Sequence, residues 1–206
     1  MKVYLGIDIE TTGQNLFRNA MIEIGASLMD ETGEEIENVN LCLEMPPGTE
    51  FEKKCLDTFW IDHQEQLMRI KNLCIRPKIQ MMKFADWIDK LDLKYGASLE
   101  ILGDFALFDF AWINVYLSRY TDRPCLYNRA VRKEDGSVSY EFRRITDTNE
   151  RYRGTLMITN PGAEEGWRIE EKLGIQNTKW GNDHYALNDA RNIAANWLLY
   201  LKKYKK

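Results

Sequence analysis

The chain has 206 residues, of which 44% are apolar and 29% charged, with a formal net charge of −4. That is an ordinary globular balance for one domain, residues 1–206, large enough to bury a sizeable core. The charge excludes a global positive field, though not a nucleic-acid substrate whose site carries metal. Four cysteines without a C-x-x-C pair, and two histidines, argue against a zinc framework or a disulfide scaffold. Met1 is followed by Lys2 and a strand, with no long apolar run. The expectation is a soluble cytoplasmic or nuclear protein with no membrane partner.

Three strands are predicted first, at Val3 to Glu10, Ala20 to Asp30 and Glu37 to Glu44, with a turn at Thr32-Gly33. Their short connections predict an antiparallel meander, ended by Pro46-Pro47-Gly48. Cys55 to Ile70 reads as one helix or two short ones. Ile79 to Leu93 has a helical period with charges outside. Leu99 to Gly103 is a fourth strand, and Asp109 to Tyr120 a helix ended near Asp122-Arg123-Pro124. Leu126 to Thr148 has a hairpin pattern around Glu134-Asp135-Gly136. Its last residues, Ile145 to Thr148, are a candidate fifth sheet strand. Trp167 to Leu173 looks helical, and Leu187, Ala190, Ala194, Trp197, Leu198 and Leu201 mark a long final helix. A meander followed by alternating helices and strands argues for an α/β domain with a mixed sheet and the first strand at its centre.

The first strand carries the chemistry. Strand side chains alternate faces, so Asp8 and Glu10 project together. Carboxylates that close repel unless a cation lies between them, and oxygen ligands suit Mg²⁺ or Mn²⁺. Asp109 sits among Leu107, Phe108 and Phe110, and Asp189 opens the final helix. Taken singly, Asp109 reads as a helix N-cap and Asp189 as a capping or solvated acid.

In order, Asp8-Ile9-Glu10-Thr11-Thr12-Gly13, Phe108-Asp109 and His184-x-x-x-x-Asp189 resemble the DEDDh family of 3′-to-5′ exonucleases. Met21 to Ala26 looks like the family's second strand, and Thr58-Phe59-Trp60 with Gln64 is similar to a tryptophan-rich helix of an exoribonuclease branch. A plain core tryptophan fits Trp60 equally. The resemblance implies a ribonuclease H-like fold, with a five-stranded mixed sheet and helices on both faces. It also implies two divalent cations, Mg²⁺ or Mn²⁺, held by Asp8, Glu10, Asp109 and Asp189. Glu10 and His184 are the implied catalytic residues, with His184 as the general base.

The chemistry is consistent with this, since two metals about 4 Å apart can serve both the attacking and the leaving oxygen. On a regular helix, however, His184 and Asp189 would stand roughly 140° apart. They converge only if His184 lies on the loop before the helix. Tyr185 and Asp189 do share a face, as a tyrosine-using sister branch requires. His-x-Ala-Leu-x-Asp-Ala favours histidine. His63 reads as a solvated helical residue.

Substrate contacts are expected from the backbone at Thr11, Thr12 and Gly13, and from Leu16 or Phe17 as a wedge against the terminal base. A loop that merely covers the sheet is the equal alternative. Arg129, Arg132 and Lys133, and Arg143, Arg144, Arg151 and Arg153, are candidate phosphate contacts diluted by neighbouring acids. The expected partner is the 3′ end of single-stranded RNA or DNA, which the motifs do not distinguish. Proteins of this fold include homodimers. Other readings are a proofreading or trimming subunit of a larger complex, a non-catalytic nucleic-acid-binding module, and an unrelated Mg²⁺ phosphohydrolase.

Overall fold

The computed structural model describes residues 1–159, 169–177, 179–181 and 184–204. The expected loop residues Asn182 and Asp183, the start of the expected helix at Trp167, and Lys205 and Lys206 lie outside these. The chain runs β1 (Val3–Thr11), β2 (Met21–Asp30), β3 (Glu35–Cys42), the single turn α1 (Lys53–Cys55), a π-helical turn (Leu56–Trp60), α2 (Gln64–Leu73) and α3 (Pro77–Tyr95). Then come β4 (Leu99–Gly103), α4 (Ala106–Tyr120), β5 (Asn128–Arg132), β6 (Val138–Phe142), β7 (Thr146–Asp147), α5 (Thr148–Thr159), α6 (Ile169–Leu173) and α7 (Ala186–Tyr204).

The main sheet has the order β3-β2-β1-β4-β7, with β1 at its centre. β1 pairs antiparallel with β2 and parallel with β4, and β4 pairs parallel with β7. β5 and β6 form a separate antiparallel hairpin. The mixed α/β architecture is the one expected.

Strand alternation sorts β1 into two faces. Val3, Leu5, Ile7 and Ile9 join the main core with Phe84 and Ile88 of α3 and Phe110 and Ile113 of α4. Tyr4 faces the other side, in a second core with Tyr152 of α5, Leu173 of α6 and Trp197 of α7. A third cluster under α2 gathers Ala20, Ile22, Trp60, Leu67 and Ile70. No helix among the described residues is long and apolar enough to cross a membrane.

Several local expectations shift. The Cys55 to Ile70 segment is broken by the π turn, in which the Ile61 amide reaches back to the Leu56 carbonyl. β3 ends at Cys42, and Leu43 instead bridges Ile75. The charges of α3 do not all point outward, because Asp92 is 1% exposed. α4 begins three residues earlier than expected, which places Asp109 inside its first turn and not at the N-cap.

Candidate active site

Asp8 and Glu10 share their face of β1 with Gly6, opposite Gly25 and Glu23 of β2 for the two acids respectively. That face lies under α7. A Cβ on Gly6 would stand 2.1 Å from the Ala190 carbonyl oxygen, and one on Gly25 would stand 2.1 Å from Ala186 C and Leu187 N. Only glycine permits such an approach, so α7 rests its backbone directly on the sheet. The contact with Gly25 falls at the first turn of α7, the turn that carries Asp189.

His184 stands just before this helix, and donor atoms of Glu10, His184 and Asp189 all lie within 4.8 Å of one another. The histidine leaves the helical path through a backbone φ of +53°. Asp109 approaches from the first turn of α4, where its amide donates to the Phe105 carbonyl at 3.1 Å.

The electrostatics are one-sided. Burial raises the pKa of Asp8 well above the ordinary carboxylate value, and Asp109, Asp189, Glu10 and Asp104 push it further. Glu10 is raised by burial, then by Asp189, Glu23 and Asp109, with Arg69 as an opposing influence. Asp109 is raised by burial and by Asp104 and Asp147, against the hydrogen bond with Phe105. Asp104, at the exit of β4, is pushed up to about 7 by burial and Glu170. Buried carboxylates of this kind ionise together at neutral pH only with added positive charge. Oxygen donors with one imidazole fit Mg²⁺ or Mn²⁺, so the residues present suit divalent cations.

The turn after β1 is more committed than the sequence suggests. Thr12 is fully buried; its amide donates to the Ala20 carbonyl at 2.8 Å and its hydroxyl to the Glu50 carbonyl at 2.9 Å. Its amide is thus engaged within the protein. A Cβ on Gly13 would lie 2.5 Å from Asn19 Oδ1 and Glu52 Cβ, so packing within the protein already requires glycine there. Thr11 donates its hydroxyl to the Gly13 carbonyl at 2.9 Å, and its own carbonyl accepts from Trp60 Nε1 at 3.1 Å. Leu16 packs against the main core, while Phe17 is 94% exposed.

Among the basic candidates, Arg143 is buried and bound to Asp92. Arg129 pairs with Glu141 at 3.1 Å.

Sequence reasoning passed over Asp104, although its apolar flanks are the signal that marked Asp109. It also passed over Gly6 and Gly25, whose strand-interior positions signal a close backbone approach. His63 is half-buried, and its ring packs against Phe59 and His184. Tyr185 lies under the Arg69 guanidinium, 4.1 Å from the ring centroid, and Arg69 also binds the buried Glu23 at 2.7 Å.

A five-stranded mixed sheet in this order, with helices packed against it, is the ribonuclease H-like fold, and its central strand carries the acidic centre. Residues 3–201 match the model of the Rv2179c-like 3′-5′ exoribonuclease domain, and the chain belongs to that family. It is a 3′-to-5′ exonuclease. A search of curated protein sequences finds no significant match.

Among solved structures, the chain is similar to the nuclease domain of 3′hExo, a DEDDh family member bound to rAMP. The two share 19% identity over 98% of this chain and 93% of that one, with a TM-score of 0.64. It is also similar to E. coli ExoI in a zinc-bound complex with single-stranded DNA, at 16% identity and TM-score 0.68, over all of this chain and 42% of that one. A third is S. pombe Pop2p in its Mg²⁺- and Mn²⁺-bound form, at 14% identity and TM-score 0.66, covering 98% and 84%. At these identities the likeness establishes the fold.

Proposed function

We propose that this exonuclease is a two-metal enzyme that removes nucleoside 5′-monophosphates from the 3′ end of single-stranded RNA. The observation that carries the reading is the convergence of Glu10, His184 and Asp189 beside three further acids, the buried Asp109 and the half-buried Asp8 and Asp104. RNA is favoured by the family's description as exoribonucleases.

Asp8, Glu10, Asp109 and Asp189 would hold the cations. When bound, divalent cations supply charge neutralisation at the scissile phosphate and an acidified water. His184 accepts a proton from the attacking water on an imidazole nitrogen, a general-base task that histidine commonly performs. As the new P–O bond forms, the bond to the 3′ oxygen of the preceding nucleotide breaks, and that oxygen takes up a proton. Ligand atoms of Glu10, Asp189 and His184 lie within 4.8 Å of one another, so the imidazole stands beside the carboxylates that would hold the cations. Tyr185 is a poorer base, because burial raises its phenol pKa and its ring is covered by Arg69.

Phe17 is the side chain left to meet the terminal base, since Leu16 is partly packed. Phe17→Ala is expected to raise KM roughly five- to tenfold with little change in kcat, as loss of one stacking contact does.

The deciding experiment digests 3′- and 5′-labelled RNA and DNA oligomers with Mn²⁺ or Mg²⁺, with and without chelator. Release of 5′-monophosphates from RNA 3′ ends, abolished by chelator and by Asp8→Ala, is expected. Undiminished activity in chelator would sink the metal reading, and a preference for DNA would sink the substrate reading. Comparison of His184→Ala with Tyr185→Phe tests the base.

A further inference from the structure

Among the described residues, His184 is the one non-glycine with a positive φ, +53°. A side chain there costs on the order of 1 kcal/mol and persists only where its surroundings hold it. Two rings from a distant part of the chain do so. The Phe59 ring meets His184 edge-on, with centroids 4.8 Å apart at 78°. The His63 ring lies 4.4 Å from His184 at 61°, and Phe59 and His63 are 4.7 Å apart. The three rings close a triangle.

Phe59 belongs to the π turn, and His63 immediately precedes α2. Trp60, next to Phe59 and in edge contact with it at 4.9 Å, is 1% exposed and donates to the Thr11 carbonyl. One short turn therefore secures the end of the strand bearing Glu10 and also supports the loop histidine. Turns of this type, with one residue more than an α-helical turn, are frequent at functional sites.

We propose that Phe59 and His63 are positioning residues, whose rings form a cradle holding the His184 imidazole against Glu10 and Asp189. The inference rests on the reading of His184 as the general base. The cradle works by packing, so His63 contributes through its ring and not through its charge. An imidazole on an unsupported loop would sample several rotamers, and a misplacement near 1 Å can cost up to about 100-fold in rate.

The test uses the full chain in single-turnover cleavage of a 5′-labelled oligoribonucleotide with Mn²⁺, at several enzyme concentrations. The saturating rate and the half-saturation point are thereby separated. His184→Ala is expected to lower the saturating rate by roughly 10²- to 10⁴-fold. His63→Ala and Phe59→Ala should each lower it about tenfold, with half-saturation changed less than about twofold. His63→Phe, which keeps a ring, should recover most of the loss. In the double variant, His63→Ala should add nothing to His184→Ala, because a residue acting through the imidazole has nothing left to act on.

A further full drop in the double variant, or an effect confined to half-saturation, would put His63 on the substrate and overturn the cradle. Unchanged rates in both single ring variants would overturn it while the base assignment stands. A silent His184→Ala would remove both. Melting curves for each variant, with assays run well below the transition, keep unfolding from imitating a positioning loss.

Discussion

Two groups of buried acids show how the same desolvation leads to opposite outcomes. Asp92 of α3 is 1% exposed, yet it binds Arg143, binds Arg123 at 2.8 Å, and accepts the Ala130 amide at 3.0 Å. Burial still dominates there, raising Asp92 and pushing Arg143 down to about 10, but both arginines oppose the rise at Asp92. The result is a fixed brace between α3 and the β5–β6 hairpin, extended by Asp89, which binds Arg123 at 2.9 Å and the Tyr140 hydroxyl at 2.9 Å. At Asp8 the neighbours are Asp109, Asp189, Glu10 and Asp104, and all of them add to the penalty. An acid supplied with internal cations is a structural part; acids packed against acids create a demand for cations from solution.

Asp8→Asn tests the contrast most strongly. It should lower activity by at least about 10³-fold, while raising the melting temperature of the metal-free protein, because one source of repulsion is gone. A fall in metal-free stability would show that Asp8 is compensated after all. Asp92→Asn should behave in the opposite sense. It takes the carboxylate partner from buried Arg143 and one of two from Arg123, and should cost about 3 kcal/mol, roughly 6–12 °C in melting temperature for a chain of this size. Activity per folded molecule should be retained, so a matching loss of kcat would join the two regions.

The third test is pH. The Asp104 carboxyl is raised from 3.8 to about 7, so the folded chain holds a proton that the unfolded chain has released. Its contribution to stability is present below about pH 4 and is lost as pH rises towards 7. The metal-free melting temperature of the wild type should therefore fall more steeply over this window than that of Asp104→Asn. Added Mn²⁺ should restore more stability at pH 8 than at pH 5. Equal slopes in the two proteins would remove Asp104 from the acidic group.

The smallest effect belongs to Arg69, which binds Glu23 and partly opposes the rise at Glu10. Arg69→Gln should move the acid limb of the pH–rate profile to higher pH. An unmoved limb would mean that Arg69 serves Glu23 alone.

The difference between the two regions was only half visible in the sequence. Asp8 and Glu10 were legible because period-two alternation places them on one face whatever the rest of the chain does. The long helices were legible from apolar period, and so was the sheet from its meander. Asp92 was not, because in α3 it falls among outward charges, and its partners Arg123 and Arg143 lie 31 and 51 residues away. From sequence, Arg143 accordingly counts among the candidate phosphate contacts. The contact between His63 and His184 spans still more chain and depends on a π turn, which carries no local residue signal. The position of His184 ahead of α7 was recoverable, since five helical residues could not bring it round to Asp189.

The glycines beneath α7 carry a consequence for how this sequence can change. Gly6 and Gly25 let main chain meet main chain, so the spacing between the β1 acids and Asp189 is set without any intervening side chain. Substitutions along the outward side of α7 can alter bulk and polarity without resetting that spacing. The sequence is thus free to drift widely around its reactive centre, and the tightest constraint falls on two positions that have no side chain to vary.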